Sequence, residues 1–150
     1  MTKYHQIYLV LREQLHEGRF ADGFPGELAL MQQFGVGADY TRATRCGVYT
    51  MNIQVAYLRE VLEGDPLMLR VRVLESDDKR LLTLMELWQT RENYLAATME
   101  QLSLHVSLET RRALPFTPEL AARLAQIAAG HAGESLPPGY RRILPLKRPA

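Results

Sequence analysis

The sequence predicts an α+β chain built on an antiparallel sheet, and two observations carry that prediction. Residues 46–107 hold four apolar-rich runs of strand length: CGVYTMNIQVAYLREV, EGDPLMLRVRVLES, DDKRLLTLMELWQT and RENYLAATMEQLSLHVS. Each is closed by a short polar turn, whereas parallel strands would need crossovers of a dozen or more residues, so the runs read as an antiparallel meander. Helical periodicity flanks this block on both sides, over residues 3–17 and again after Thr117.

Taken in order, residues 3–17 place Tyr4, Ile7, Tyr8, Leu11 and Leu15 on one helical face, with Arg12, Glu13 and Glu17 opposite and Gly18 at the C-cap position. The first strand alternates Tyr49, Met51, Ile53, Val55 and Tyr57 against Thr50, Asn52, Gln54 and Ala56. Its second face is polar enough to line a cleft. Residues 63–66 form the next turn, with Pro66 at a strand start where its missing N–H is tolerated. Leu67, Leu69, Val71 and Val73 then face one way, and Arg70 and Arg72 the other. A turn at residues 76–79 leads to a strand over 81–90 that carries Trp88. Residues 91–93 turn the chain into the last strand, 94–107. Thr117 is a good N-cap, Pro118 a good first helical residue, and Glu119 favours the positive helix end. Leu120, Leu124 and Ile127 give that helix one apolar face, and Gly130 is expected to end it. The tail, with Arg141, Arg142, Lys147 and Arg148, reads as an irregular basic arm.

Composition bounds the function. At 150 residues and 47% apolar, the chain is long enough to bury one good core. Eighteen basic against seventeen acidic residues leave a formal charge of +1, so no general pull toward nucleic acid or membrane is expected, only a local patch at most. The single cysteine, Cys46, excludes an intrachain disulfide and fits a reducing compartment. No apolar run approaches the roughly 20 residues that span a bilayer. The charged start, MTKYHQIYLVLREQ, lacks a small-residue cleavage site. A cytoplasmic protein without a membrane partner is expected. Four scattered histidines and one cysteine offer no metal-ligand spacing. There is no G-x-S-x-G elbow and no phosphate-cradling glycine loop, and Cys46 reads as a buried apolar residue rather than a nucleophile.

Two family resemblances sharpen this reading. The run YHQIYLVLREQLHEGRFADGFPGELALMQQFGV resembles the start of GntR-type winged helix-turn-helix regulators, with Pro25, Glu27, Leu30, Phe34, Gly35 and Val36 in the family's places and Gly26 where a serine is usual. DNA binding would need a recognition helix next. Arg42 and Arg45 are basic there, but Gly47 and the β-branched run limit any helix to two turns, and no wing follows, so DNA is not the favoured partner. The second resemblance starts in the same stretch. ALMQQFGVGADYTRATRCGVYT, VAYLREV, DKRL and ATMEQLSLHV resemble hotdog-fold acyl-CoA thioesterases, of the 4-hydroxybenzoyl-CoA thioesterase-like superfamily and the carnitine-pathway type, over about residues 29–130. The chain then divides into a helical head at 1–24, a hotdog-like domain at 25–132 and the basic tail at 133–150.

That resemblance implies a homodimer or dimer of dimers, an acyl-CoA tunnel at the subunit boundary, and no cofactor beyond the CoA of the substrate. It also implies a carboxylate near the start of the central helix as general base or nucleophile, with a backbone N–H polarising the thioester carbonyl. Glu27 is the carboxylate that stands there. Asn52, Gln54 (where relatives often have His), Tyr57 and His105 are the implied lining residues, and Lys79 and Arg80 the implied contacts for a CoA phosphate. The family's Asp-x-x-Gly-His-x-x loop and first strand have no counterpart in the sequence. Two alternatives therefore stand beside hydrolysis: an inactive thioester binder, and a GntR-like regulator that uses the sheet as effector or dimerisation module.

Overall fold

The computed structural model describes residues 34–144. The helix expected over residues 3–17, the regulator-like start at Pro25 and the candidate base Glu27 lie outside these residues. The described elements are α1 (Ala38–Thr44), β1 (Cys46–Tyr57), β2 (Leu67–Ser76), β3 (Arg80–Gln89), β4 (Tyr94–Ser107) and α2 (Pro118–Ala132). The α+β class is as expected.

The strands form one antiparallel sheet in the order β1-β4-β3-β2, which corrects the expected meander. Only β2, β3 and β4 follow one another through tight turns. β1 pairs with β4 instead of its sequence neighbour, because the link at residues 58–66 is a structured crossing rather than a two-residue turn. Leu58 and Arg59 donate to the Ala96 carbonyl at 2.9 and 3.1 Å, and Arg59 stacks 3.8 Å over the Tyr94 ring. Farther along, buried Asp65 accepts from the Leu62 N–H at 2.8 Å and from Arg91 at 3.2 Å. Val61, fully buried, anchors the link in a small cluster with Leu87, Ala96 and Ala97.

The register decides which residues share a face, since directly opposed side chains lie on the same side. A bulge between Thr50 and Asn52 shifts β1 by one residue against β4. Val48, Thr50, Ile53, Val55 and Tyr57 therefore share a face with His105, Ser103, Gln101, Met99 and Ala97. Tyr49, Asn52, Gln54 and Ala56 share the other with Leu104, Leu102, Glu100 and Thr98. Strict alternation put Tyr49 and Thr50 on the opposite sides. The hydrogen bond from Gln101 Nε2 to Thr50 Oγ1, 3.0 Å long, independently fixes the corrected phase.

The core lies on the Thr50 side. Phe34, Val36, Val73, Leu81, Phe116, Leu120 and Leu124 are buried together there. α2 packs its Leu120–Leu124–Ile127 stripe against this cluster. Each fully buried leucine contributes about 1.5–3 kcal/mol relative to exposure. Thr117 caps the helix by accepting from the Leu120 N–H at 3.3 Å, and Pro118 follows as expected. Gly130 does not stop it. The helix runs to Ala132 and Gly133 forms the C-cap, because an interior glycine costs only about 1 kcal/mol and His131 holds the last turn to the sheet. The N–H of Val73 on β2 donates to His131 Nδ1 at 3.0 Å.

The opposite face of the sheet is also covered. Residues 134–144 cross it, and the Glu100 carboxylate, 2% exposed, accepts from the Tyr140 hydroxyl and from the N–H groups of Ile143 (2.8 Å) and Leu144 (2.7 Å). Burial, and then the Glu100 carboxylate itself, push the Tyr140 phenol well above its ordinary pKa, so it stays a donor.

Candidate active site

The first residues to place are those near the start of β1. α1 has seven residues and ends at Arg45, whose φ of 55° closes it in the left-handed conformation. This is the two-turn limit read from Gly47 and the β-branched run. Arg42 bonds Asp39 on the same helix, and Arg45 lies 3.7 Å from Glu109, so both basic residues of the regulator reading sit beside carboxylates.

Tyr40 projects from α1 to meet His105 on β4. Its hydroxyl lies 2.8 Å from His105 Nε2, while Nδ1 lies 2.8 Å from the Leu114 carbonyl oxygen. A carbonyl only accepts, so Nδ1 carries the proton and Nε2 accepts from Tyr40. Burial, with Cys46 alongside, pushes the Tyr40 phenol above its ordinary pKa and keeps that donor protonated. His105 is 1% exposed and packs against Phe116 at 4.9 Å between ring centroids. Both its nitrogens are engaged inside the protein.

Lys79 and Arg80 stand at the same end of the sheet. The backbone N–H of His105 donates to the Lys79 carbonyl at 2.7 Å. Arg80 bonds Asp77 at 2.6 Å. Burial works to raise the Asp77 pKa, but the Arg80 side chain and the N–H groups of Lys79 and Arg80 outweigh it and hold that carboxyl below its usual range. Lys79 makes no ion pair among the described residues.

Tyr57 is at the far end, opposite Ala97 and eight residues along β4 from His105, which is about 26 Å at ~3.3 Å per residue. Asn52 and Gln54 bond each other at 3.3 Å on the Glu100 side of the sheet. The structure thus divides the six described candidates among three places. One chain brings Lys79, Arg80 and His105 to one end of the sheet, with Arg80 on the Leu104 face and His105 on the other, and brings none of them to Tyr57 or to Asn52 and Gln54.

Sequence reasoning missed two polar groups. The first lies on the Thr50 side, where Gln101 Nε2 bonds both Thr50 Oγ1 and, at 3.2 Å, Ser103 Oγ. This amide–hydroxyl cluster borders the apolar strip of Ile53 and Val55. Only the bulge brings Thr50 to it. Ser103 has no base: the His105 nitrogens are taken, so no Ser–His nucleophile pair forms.

The second is a pair of buried carboxylates on the opposite face. Glu86 is fully buried, accepting from Arg72 Nε at 2.7 Å and Trp88 Nε1 at 3.2 Å. Glu100 is its neighbour on β4. The signal was available, since a lone charge in a central apolar strand is rarely buried unless paired. Among the described residues no group of His, Cys, Asp or Glu could hold a metal ion. Nor is any described helix long and apolar enough to cross a membrane.

β1 is itself the remaining feature. Among the described residues it forms the end of the sheet, and Tyr49, Met51, Ile53 and Val55 are 44–58% exposed. A long apolar edge strand is a surface that proteins ordinarily cover.

Comparison with known proteins bears on this geometry. The family model of the thioesterase-like superfamily matches residues 10–124, a span that includes most of the residues carrying the regulator resemblance. Betainyl-CoA thioesterase from Pseudomonas aeruginosa is 32% identical over 118 residues, covering 79% of this chain and 74% of that protein. The L-carnitine dehydrogenase/betainyl-CoA thioesterase of Rhizobium meliloti is 32% identical over 120 residues, 80% of this chain but only 24% of the longer protein. A hypothetical protein from Staphylococcus aureus, solved in complex with CoA, superposes with a TM-score of 0.69 at 19% identity, covering 88% of this chain and 82% of that one. A putative thioesterase from Pseudomonas putida KT2440 gives a TM-score of 0.61 at 25% identity over 80% and 76%. The hotdog-like fold expected from the sequence is the fold of these structures. These comparisons do not show a GntR-type start.

Proposed function

The chain belongs to the thioesterase-like superfamily, and from that premise we propose that it hydrolyses an acyl-CoA thioester at a boundary between two copies of itself. The similarity to betainyl-CoA thioesterase carries this reading, because it runs through most of the sheet. A CoA thioester with a small acyl group, a trimethylammonium acyl group first among them, is the substrate class. Water adds to the carbonyl carbon, the C–S bond breaks, and the thiolate leaves to take a proton, giving a carboxylate and CoA thiol.

The roles follow from chemistry and placement. Glu27 is our candidate general base. Lys79, free of an ion pair among the described residues, is a better contact for a CoA phosphate than Arg80, which Asp77 holds. Ile53 and Val55, beside the Gln101–Thr50–Ser103 cluster, are suited to line an acyl pocket once a partner closes it. The dimer is supported by the difference between the two sheet edges. β2 is blunted by Pro66, by the bulge at Leu74 and by His131 on the Val73 N–H. β1 shares the bulge, at Met51, but among the described residues it has neither a proline nor a side chain bonded to an outer N–H along residues 49–55.

Thiol release from purified protein, measured over a panel of betainyl-, acetyl- and longer acyl-CoA thioesters, tests hydrolysis. Catalysed release from at least one short-chain thioester is expected. Glu27→Gln should lower kcat by about 10²-fold or more, the usual contribution of a general base. No release above background across the panel would overturn the enzymatic reading, while binding of a non-hydrolysable CoA thioether without turnover would establish a binder instead.

A further inference from the structure

A second candidate site lies at the opposite edge of the sheet from β1. Here a cavity of about 180 Å³ opens between β2, the end of α2 and the crossing chain, lined by Arg72, His131, Glu134, Tyr140 and Arg142. Its walls are rich in hydrogen-bond donors. Arg72 is 3% exposed and gives its Nε to Glu86, but its buried Nη1 has no hydrogen-bond acceptor among the described residues. The Glu134 Oε2 oxygen is 3.5 Å from it and is bonded instead by Arg70. That separation gives ionic attraction without a hydrogen bond. His131 accepts the Val73 N–H at Nδ1, which puts the proton of its neutral ring on Nε2. Arg142 is tethered through one nitrogen to Glu75 and has further N–H donors.

We propose that this cavity binds a small oxyanion of the carboxylate or phosphate class, which accepts from Arg72 Nη1 and Arg142. A buried donor without an acceptor is unfavourable, and an oxyanion supplies the missing one with charge assistance. The volume suits a phosphate ion or a short carboxylate and excludes a whole nucleotide. Arg70, Arg72 and Arg142 are balanced by Glu75, Glu86 and Glu134, so the incoming anion must displace one of these carboxylates. Glu134 is the one it displaces, because its side chain is 42% exposed and makes no hydrogen bond to Arg72. This site is separate from the proposed thioester site, and its test does not depend on catalysis.

The experiment is calorimetric titration of the full chain with inorganic phosphate, acetate and, at matched ionic strength, chloride. Backbone amide shifts at Val73 and His131 report the location. Saturable binding of phosphate or acetate, with the tighter of the two assigning the class, is expected, and chloride should not saturate. Glu134→Gln removes the competing carboxylate and should tighten binding severalfold. Arg142→Gln should weaken it about tenfold, the loss of one charge-assisted hydrogen bond. The opposite sign of the two variants separates a site from a loosened chain end. Binding that chloride matches, that neither variant changes, or that both variants weaken alike overturns the proposal, as does the absence of saturable binding.

Discussion

Replacing Arg72 by Met should destabilise the protein by about 3–5 kcal/mol, the usual cost of leaving a buried charge without its partner. Arg72 and Glu86 are 3% and 0% exposed, and their contact of 2.7 Å lies between strands with core on one side and residues 134–144 on the other. Without Arg72, Glu86 retains among the described residues only the Trp88 N–H. A domain with roughly 5–15 kcal/mol in hand would lose a large share of its stability. At about 2–4 °C per kcal/mol for a chain of this size, the Tm should fall by about 6–20 °C. The double variant Arg72→Met/Glu86→Leu should recover most of the loss, since apolar replacement of a whole buried pair is often neutral. By contrast, Arg42→Met breaks an exposed pair with Asp39 and should move the denaturation midpoint little. Chemical denaturation of the four proteins decides the matter. A single-variant loss below about 1 kcal/mol would mean that Glu86 is not a buried charge dependent on Arg72.

That pair also marks a limit of what a sequence discloses. Strand existence was legible in residues 46–107 because apolar runs and turn residues are local signals. β4 was delimited to the residue, and the cap at Thr117 followed from residue chemistry alone. The pairing order was not legible. Whether β1 lies beside β2 or β4 depends on the path of residues 58–66, which Val61, Asp65 and Arg59 set through contacts with β3, β4 and the turn between them. A bulge is similarly silent: nothing in CGVYTMNIQVAY marks Met51 as the extra residue, yet it moves Thr50 to the side of Gln101. Gly130 misled because a glycine ends a helix only where a cap geometry or the loss of packing supports it, and His131 continues the packing. The site was legible as residue types, not as a constellation. Lys79, Arg80 and His105 proved to share one end of the sheet through the β3–β4 register, with Arg80 and His105 on opposite faces, whereas Asn52 and Gln54 pair mid-strand on the Glu100 side and Tyr57 lies at the far end.

The proposed site at a subunit boundary makes β1 the strand whose surface should matter most for activity. Ile53 and Val55 share a face, are 45% and 44% exposed, and lie on a strand with no partner beyond it among the described residues. In a two-fold dimer, β1 would meet the partner's β1 antiparallel, and the same residues would face one another. Ile53→Lys/Val55→Lys removes two apolar side chains from that contact, about 1.5–3 kcal/mol each when fully buried. It also sets like charges across the axis. The dimer dissociation constant should rise by about 10²–10⁴-fold. The monomer should remain folded, because β1 keeps its ladder to β4 and the core cluster contains neither residue. Sedimentation should then show monomers at micromolar concentration with an unchanged circular dichroism spectrum, and thioester hydrolysis should fall in parallel with the dimer fraction. The matching acidic double variant, Ile53→Glu/Val55→Glu, should be equally monomeric alone. Mixing the lysine and glutamate variants pairs opposite charges across the edge and should restore the dimer, with hydrolysis recovering only in part because the apolar lining at Ile53 and Val55 is gone. A lysine variant that stays dimeric would move the interface away from β1. A monomeric lysine variant with undiminished turnover would place the whole site within one chain.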